Sequence, residues 1–182
     1  MEEKIPKLLL IDRDGVILNH VDPYILSFEE VSFVDGSCMA LKKIAALGIK
    51  IAVVSNQSPI MRGYITSDFV DMTNEWIRSE VNLSSDDLKF YYCPHVDVEQ
   101  CDCRKPKAGM LLQAIKDFGV DSEYVWMIGD ADTDMQAGRN AKVKKCIHLL
   151  SGRQKKISPY ADHEYSCLKE VVDKELKEIR SK

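Results

Sequence analysis

The sequence predicts an α/β fold in which helices cover both faces of a doubly wound parallel sheet. Five short apolar runs, several of them rich in β-branched residues, end at polar residues or glycine, as buried parallel strands do. Helical patterns separate most of these runs, and this alternation implies right-handed crossovers between parallel strands. The five predicted strands are residues 8–11, 49–54, 90–92, 125–128 and 146–150.

Four amphipathic patterns predict helices. Three lie between predicted strands, and two of these stop at Gly48 and Gly119, which suit the left-handed backbone that ends a helix. The fourth is a terminal helix whose lysine-rich end should fray. Before it, residues 151–162 predict a mobile polar loop. The apolar positions are Met39, Leu41, Ile44 and Leu47; Phe69, Met72 and Trp76; Met110, Leu111, Ala114, Ile115 and Phe118; and Leu168, Val171, Val172, Leu176 and Ile179.

Length and composition favour one domain, residues 1–182, built around one sizeable core. Of the 182 residues, 45% are hydrophobic, and two full domains would both be undersized. The formal charge of −4 argues against nucleic-acid binding, which a basic excess would favour. No segment approaches the roughly 20 apolar residues of a membrane span, and charge interrupts the start before a signal peptide could form. We expect a cytoplasmic protein with no membrane partner, and a monomer by default.

Asp12-Arg13-Asp14-Gly15 directly follows the first predicted strand. In open α/β sheets, ligands bind beyond the carboxyl ends of the strands, where this segment lies. It places two carboxylates two residues apart, and the glycine allows a sharp turn of the backbone. An isolated pattern of this kind is more often a simple turn. Here the context favours catalysis, because polar residues follow the neighbouring strands as well.

Three further segments supply that context: Ser55-Asn56 after the second strand, Lys105 in an Arg-Lys-Pro segment, and Gly129-Asp130 with Asp134 four residues on. Each alone has an ordinary explanation as a helix cap, a surface charge or a solvated helix face. In this order, together with the first segment, they resemble the four motifs of the haloacid dehalogenase superfamily.

The resemblance implies a phosphatase acting on a small phosphorylated metabolite. In phosphoryl transfer the charge on the phosphate oxygens must be neutralised while nucleophile and leaving group lie in line. The family's chemistry implies that Asp12 attacks phosphorus to form an acyl phosphate, and that Asp14 acts first as acid and then as base. Ser55 and the Asn56 backbone would donate hydrogen bonds to the phosphate, and Lys105 would neutralise it.

The resemblance also implies a catalytic Mg²⁺. Asp12, Asp130 and the backbone carbonyl of Asp14 would bind it, since hard divalent cations prefer oxygen ligands. Asp134 is expected to orient Lys105 or the metal-bound waters instead of binding directly.

Three cysteines and a histidine crowd into residues 93–103. Cys93, His95, Cys101 and Cys103 are the ligand set of a closed tetrahedral Zn²⁺ site, which would have a structural role. The alternatives are reduced cysteines that merely pack, and redox catalysis, which the absence of a C-x-x-C pattern disfavours. The remaining cysteines, Cys38, Cys146 and Cys167, are scattered and are expected to be buried thiols.

This cluster narrows the resemblance. The chain resembles the zinc-containing branch of the superfamily that heptose bisphosphate phosphatases and histidinol-phosphate phosphatases share. The segments that carry this resemblance are DRDGV, VVSNQSPIMRG, CPH…CDCRKPKAGML and GDADTDMQAG. The branch implies a compact fold with no large cap domain and a small zinc-bound loop. Within this branch, the chain resembles the heptose bisphosphate enzymes more closely in the segments NQS…RG and RKP…GML. The resemblance therefore favours D-glycero-D-manno-heptose 1,7-bisphosphate as the substrate, with histidinol phosphate as the alternative. A catalytically inactive zinc-stabilised binding module is a further alternative, against which the retention of Asp12, Asp14, Lys105 and Asp130 argues.

Substrate contacts are expected from residues near an open site. Besides Asn56, these are Tyr24, Gln57, Arg62 and Arg104, and an arginine suits a second phosphate or a sugar hydroxyl. Three residues depart from the family pattern: Val16 replaces the usual Thr, Pro59 a glycine, and Ala131 a common basic residue. A lost basic contact would remove about 1.5–3 kcal/mol, so these changes affect substrate preference more than hydrolysis.

Overall fold

The computed structural model describes residues 5–177. Its centre is a six-stranded sheet in the order β3-β2-β1-β4-β5-β6, and every neighbouring pair is parallel. The strands are β1 (Leu8–Ile11), β2 (Lys50–Asn56), β3 (Leu88–Cys93), β4 (Val125–Gly129), β5 (Lys145–Leu149) and β6 (His163–Tyr165). The predicted doubly wound parallel sheet is confirmed.

Within the described residues, five helices cover the two faces of the sheet. They are α1 (Ser37–Ala46), α2 (Ser67–Val81), α3 (Gly109–Phe118), α4 (Asp132–Asn140) and α5 (Leu168–Glu175). Helices α1, α2 and α5 bury apolar side chains on the face that presents Leu9 and Ile11, whereas α3 and α4 cover the face that presents Leu8 and Leu10. The alternation of side chains along β1 thus supplies both cores.

Two elements escaped prediction. Strand β6 is a three-residue edge strand with exposed polar residues, so it has no apolar run. Helix α4 has the sequence DTDMQAGRN, in which Met135 and Ala137 are the buried hydrophobic side chains. Such a short polar helix carries little amphipathic signal. Ile179, the last apolar position assigned to the terminal helix, lies outside the described residues.

The connections at the carboxyl edge are short. Residues 12–36 contain one 3-10 turn, Phe28–Glu30, and residues 57–66 form turns that lead into α2. The family resemblance implied that the protein has no large cap domain, and neither of these two segments folds into one. No helix within residues 5–177 has the length and apolar character that a membrane span requires.

The order of the strands determines where a site can form. The chain runs from β1 outward to β2 and β3, and then returns to the other side of β1 with β4. Ile11 is in register with both Val53 and Ile128, so the residues that follow β1, β2 and β4 emerge side by side. This is the switch point at which doubly wound sheets bind ligands.

A buried ion pair ties α5 to the sheet edge. Glu175 accepts a hydrogen bond from Lys145 Nζ at 2.9 Å and one from the Tyr165 hydroxyl at 2.5 Å, and it also pairs with His163. The side chains of Lys145 and Glu175 are 6% and 7% exposed. Burial alone would raise the pKa of Glu175, but the hydrogen bonds from Tyr165, Lys145 and His163 outweigh it and lower the pKa to about 2.

We expect Glu175→Gln to lower the free energy of unfolding by about 3 kcal/mol, because the buried Lys145 would lose its ion pair with the Glu175 carboxylate. Because folding lowers the pKa of Glu175 from 4.5 to about 2, its ionised carboxylate stabilises the fold, and this contribution is fully present above pH 4.5. This contribution is lost as the pH falls through about 2, so the difference from wild type should shrink across that window. Urea unfolding at several pH values measures it.

Asp173→Asn is the matched control, because Asp173 pairs with Lys43 at 3.3 Å on an exposed part of the same helix. We expect its stability to change by less than about 0.5 kcal/mol. Equal losses in both variants would contradict the role given to the buried pair.

Candidate active site

Polar side chains from three strand ends and one longer connecting segment converge in one cleft at the switch point. Asp12 leaves β1, Ser55 lies near the end of β2, and Asp130 follows β4. Lys105 reaches the same cleft from the segment between β3 and α3. The structure therefore brings together the four predicted motif segments, and Lys105 and Asp12, which pair directly, are 93 residues apart in the chain.

Asp12 is held at the end of β1 by the sheet itself. Its N–H donates to the carbonyl of Ile128 at 2.9 Å, continuing the ladder between β1 and β4. The residue is only 8% exposed, and its Oδ1 accepts a hydrogen bond from Lys105 Nζ at 2.7 Å. Its carboxylate is thus placed at the floor of the cleft.

The Lys105 ammonium is buried among three acceptors. Besides Asp12, it contacts Asp134 Oδ1 at 2.6 Å and donates to the carbonyl of Val54 at 2.7 Å. Burial by itself would lower the pKa of Lys105, but the carboxylates of Asp12 and Asp134 outweigh it and raise the pKa above its ordinary value. Lys105 therefore remains charged at neutral pH.

The side chain of Asn56 fixes the backbone of Lys105. Asn56 Oδ1 accepts from the Lys105 N–H at 3.0 Å, and Asn56 Nδ2 donates to the Lys105 carbonyl at 3.0 Å. This pair of hydrogen bonds joins the end of β2 to the segment that carries Lys105. The Asn56 side chain is thus engaged with Lys105.

Asp134 is locked in the first turn of α4. Its Oδ2 accepts hydrogen bonds from the N–H groups of Asp130 and Ala131, at 3.2 and 3.1 Å, while its Oδ1 contacts Lys105. Gly129 makes room for this arrangement, because a Cβ there would lie 2.4 Å from Asp134 Cβ. Both oxygens of Asp134 therefore serve to position other groups.

Asp130 lies between two glycines. A Cβ on Gly15, whose φ of +99° also favours glycine, would lie 2.4 Å from Asp130 Oδ2, and one on Gly152 would lie 1.8 Å from it. The same oxygen accepts a hydrogen bond from the Arg153 N–H at 2.7 Å. The loops that follow β1 and β5 therefore both close against this carboxylate.

The carboxylates of Asp12 and Asp130, with that of Asp134 close beside them, suit a hard divalent cation. One oxygen from each lies within 4.8 Å of the others. Burial, followed by repulsion from Asp134 and Asp130, raises the pKa of Asp12 well above its usual value despite the opposing effect of Lys105. Burial and Asp134 likewise raise the pKa of Asp130. Because Lys105 does not balance this buried negative charge, the residues fit a metal such as Mg²⁺.

Asp14 belongs to a separate network. Arg13 Nε donates to Asp14 Oδ1 at 2.9 Å, and Gln57 Nε2 lies 2.8 Å from Asp14 Oδ2 and 2.6 Å from Ser55 Oγ. Although burial alone would raise the pKa of Asp14, the Arg13 charge and the hydrogen bonds from Arg13 and Gln57 outweigh it and lower the pKa. In this geometry Asp14 is ionised at neutral pH.

Arg13 was not singled out in the sequence, although it stands between the two carboxylates. Its side chain is only 2% exposed, and it also donates to Asn74 Oδ1 of α2 at 3.3 Å. A buried arginine requires acceptors on several sides. The burial of Arg13 could not be predicted from the sequence, because one of its acceptors, Asn74, is supplied by α2.

The expected substrate contacts separate into two groups. Tyr24, Asn56 and Gln57 line the cleft. Of the three residues that differ from the family pattern, Pro59 and Ala131 also line it, whereas Val16 is buried in the core. Arg62 is exposed on the turn after β2 and does not line the cleft. Arg104 also lies outside the lining, because its guanidinium pairs with Asp97 and donates to the His95 carbonyl at 3.2 Å. The cleft instead contains Arg153, for which the sequence carried no signal beyond a polar loop.

The three cysteines and the histidine of residues 93–103 gather into a cluster that could hold a metal ion. The sulfur atoms of Cys93, Cys101 and Cys103 lie 3.1 to 3.6 Å from one another. His95 Nδ1 lies 3.5 Å from Cys93 Sγ and 3.3 Å from Cys103 Sγ. Four ligands about 2.3 Å from one zinc ion would be about 3.8 Å apart. The thiols are free and too far apart for disulfide bonds, so this ligand set fits Zn²⁺.

A family model of haloacid dehalogenase-like hydrolases matches residues 2–142. The chain belongs to this family. The family indicated by the four motif segments is therefore confirmed. Asp12, Ser55, Lys105 and Asp130, which lie in those segments, all line the cleft.

Three relatives refine the comparison. The D-glycero-beta-D-manno-heptose-1,7-bisphosphate 7-phosphatase of Pasteurella multocida is 39% identical over 156 residues, which cover 81% of this chain and 83% of that protein. The corresponding alpha-anomer phosphatase of Campylobacter jejuni is 37% identical over 172 residues, covering 92% and 94%. The crystal structure of D,D-heptose 1,7-bisphosphate phosphatase from B. bronchiseptica, complexed with magnesium and phosphate, shares the fold with a TM-score of 0.84. Its identity is 24%, and the match covers 94% of this chain and 99% of that one.

We expect Asn56→Ala to lower kcat/KM for phosphate-ester hydrolysis about 10- to 100-fold, because Lys105 would lose the two hydrogen bonds that hold its backbone. Steady-state kinetics on a purified, folded variant measure the effect. Asn140→Ala is the matched control, since Asn140 Nδ2 donates to the carbonyl of the adjacent Pro106 at 2.8 Å from an exposed position. A fully active Asn56→Ala enzyme would show that Lys105 needs no such support.

Proposed function

We propose that this hydrolase is a magnesium-dependent phosphatase that removes the 7-phosphate of D-glycero-D-manno-heptose 1,7-bisphosphate through an aspartyl-phosphate on Asp12. The observation that carries the proposal is the contact between Lys105 and Asp12 at the end of β1, beside Asp130. Relatives over more than four fifths of the chain are named for this reaction, which supports the choice of substrate.

Asp12 is the proposed nucleophile. Its carboxylate oxygen attacks phosphorus, the bond from phosphorus to the sugar oxygen breaks, and the phosphoryl group is transferred to the enzyme. Lys105 stays beside the reacting oxygens and offsets the negative charge that gathers on the phosphoryl group. The Ser55 hydroxyl and the Asn56 N–H would donate hydrogen bonds to the same group. Water then hydrolyses the acyl phosphate and regenerates Asp12.

Asp14 is the proposed acid and base. Its ionised form, which Arg13 and Gln57 favour, suits removal of a proton from the hydrolytic water. Protonation of the departing sugar oxygen requires that the carboxyl take up a proton first. We infer that Asp14 leaves Arg13 when substrate binds, because the Arg13 contact stabilises its charged form.

Two metals complete the proposal. Asp12, Asp130 and the Asp14 carbonyl would hold Mg²⁺, which supplies the positive charge that lets an anionic nucleophile meet an anionic phosphate. Cys93, His95, Cys101 and Cys103 would hold Zn²⁺ with all four positions filled by protein, so its role is structural. Asp134 would orient Lys105, as its hydrogen bonds indicate.

Phosphate release from a substrate panel tests the function. We expect kcat/KM for heptose 1,7-bisphosphate, in the presence of Mg²⁺, to exceed that for histidinol phosphate and simple hexose phosphates by at least about a hundredfold. Both anomers belong in the panel, because relatives are named for each. Histidinol phosphate, the alternative substrate, is not favoured by these relatives, and a preference for it would refute the proposal.

Asp12→Asn serves as the inactive control for the panel. Removing the nucleophile should reduce kcat by about a thousandfold or more and prevent acid-stable labelling of the protein by radioactive substrate phosphate. Asp173→Asn should retain activity, because Asp173 does not line the cleft. Substantial turnover by Asp12→Asn would exclude an aspartyl-phosphate on this residue.

We also expect about one zinc per chain in protein purified without chelators. Cys103→Ser should lose that zinc and unfold at a lower temperature, because structural zinc contributes folding free energy. Cys38→Ser is the matched control, since Cys38 lies on α1 and takes no part in the cluster. Elemental analysis and thermal unfolding of both variants measure the outcome. A zinc-free wild-type protein of full stability would contradict the assignment.

A further inference from the structure

The cleft has more acidic than basic side chains. Asp12, Asp14, Asp130 and Asp134 line it, and in the described part of the chain Lys105 and Arg153 are the permanently charged cations that do so. The proposed substrate carries two phosphates, of which one is transferred and the other is retained. A retained phosphate needs its own positive partner, because four carboxylates and one bound phosphoryl group already surround the reacting centre.

Lys105 cannot serve as that partner. Its ammonium already contacts Asp12 and Asp134 and donates to the Val54 carbonyl, so its three hydrogens are engaged at the floor of the cleft. The sequence suggested Arg62 and Arg104 as residues that bind a second phosphate or a sugar hydroxyl, but neither lines the cleft. Arg153 is the remaining cation.

The loop after β5 anchors the backbone of Arg153 beside the active site. The Arg153 N–H donates to Asp130 Oδ2 at 2.7 Å, and Ser151 Oγ donates to the Gly15 carbonyl at 2.8 Å. On the other side, Gln154 accepts from the Asp132 N–H at 3.0 Å and donates to Asp132 Oδ1 at 2.9 Å. The position of Arg153 is therefore fixed from both directions.

The guanidinium itself remains available. The Arg153 side chain is exposed, and it forms no hydrogen bond or ion pair with other residues in the range 5–177. Arg153 therefore has a backbone that is fixed by hydrogen bonds and a planar guanidinium whose donors are free to bind a ligand. That combination suits bidentate binding of a phosphate at modest entropic cost.

We propose that Arg153 binds the phosphate that the substrate keeps, and so makes the enzyme select a bisphosphate over the corresponding monophosphate. The proposal rests on the proposed function. Ala131, which lines the cleft beside Asp130, offers no charge there. Arg153 reaches the cleft from the other side of Asp130 and supplies a cation from a different loop.

The test compares heptose 1,7-bisphosphate with heptose 7-phosphate, which lacks the retained phosphate. For wild type and Arg153→Met, the ratio of the two kcat/KM values measures selection by the second phosphate. We expect Arg153→Met to lower this ratio about 10- to 100-fold, the effect of losing a charge-assisted pair. Arg153→Lys should restore part of it, because a point charge replaces the bidentate fork.

Lys156→Ala is the matched control, because Lys156 is an exposed cation of the same loop that does not line the cleft. Its ratio should equal that of wild type. If Arg153→Met lowers both kcat/KM values equally, or leaves the ratio unchanged, the phosphate-binding role is overturned while the proposed function stands. If the wild type itself fails to prefer the bisphosphate, the substrate assignment and this inference fall together.

Discussion

The active site depends on a charged lysine held in the protein interior. Lys105 Nζ lies within 2.7 Å of Asp12, Asp134 and the Val54 carbonyl, which belong to three separate parts of the chain. A buried ammonium is costly unless every donor is satisfied, so the ends of β1 and β2 and the start of α4 must stay together around it. The same contacts that satisfy Lys105 hold the carboxylate of Asp12, the proposed nucleophile, at the floor of the cleft.

The surroundings of Lys105 follow from this requirement. Asn56 holds the lysine backbone from the end of β2, and the cysteine cluster ends two residues before it at Cys103. Asp134 is oriented by backbone N–H groups, so that it faces the ammonium. A rigid support of this kind keeps the charge at one position during phosphoryl transfer, which requires little further adjustment of the protein.

Close packing around Asp130 gives the loop after β5 a part in the site. Gly15 and Gly152 leave no space for a Cβ beside this carboxylate, and the Arg153 N–H completes the contact. Loops built on a fixed sheet edge commonly determine which substrate is bound, while the scaffold keeps the chemistry constant. In the proposed mechanism the carboxylates and Lys105 carry the reaction, and the loop with Arg153 is suited to distinguish substrates.

The sequence by itself determined five of the six strands and four of the five helices found in residues 5–177, and the four motif segments, because apolar runs, helical spacing and polar strand ends are local features. The cysteine ligand set was visible for the same reason, since its four members lie within eleven residues. Only the tertiary structure decided which cations face the cleft. Arg13 is buried because α2 supplies Asn74, Arg104 turns to Asp97, and Arg153 enters through contacts with Asp130. Each of these outcomes depends on partners from other elements or on loop geometry, and such contacts leave no periodic pattern in a sequence.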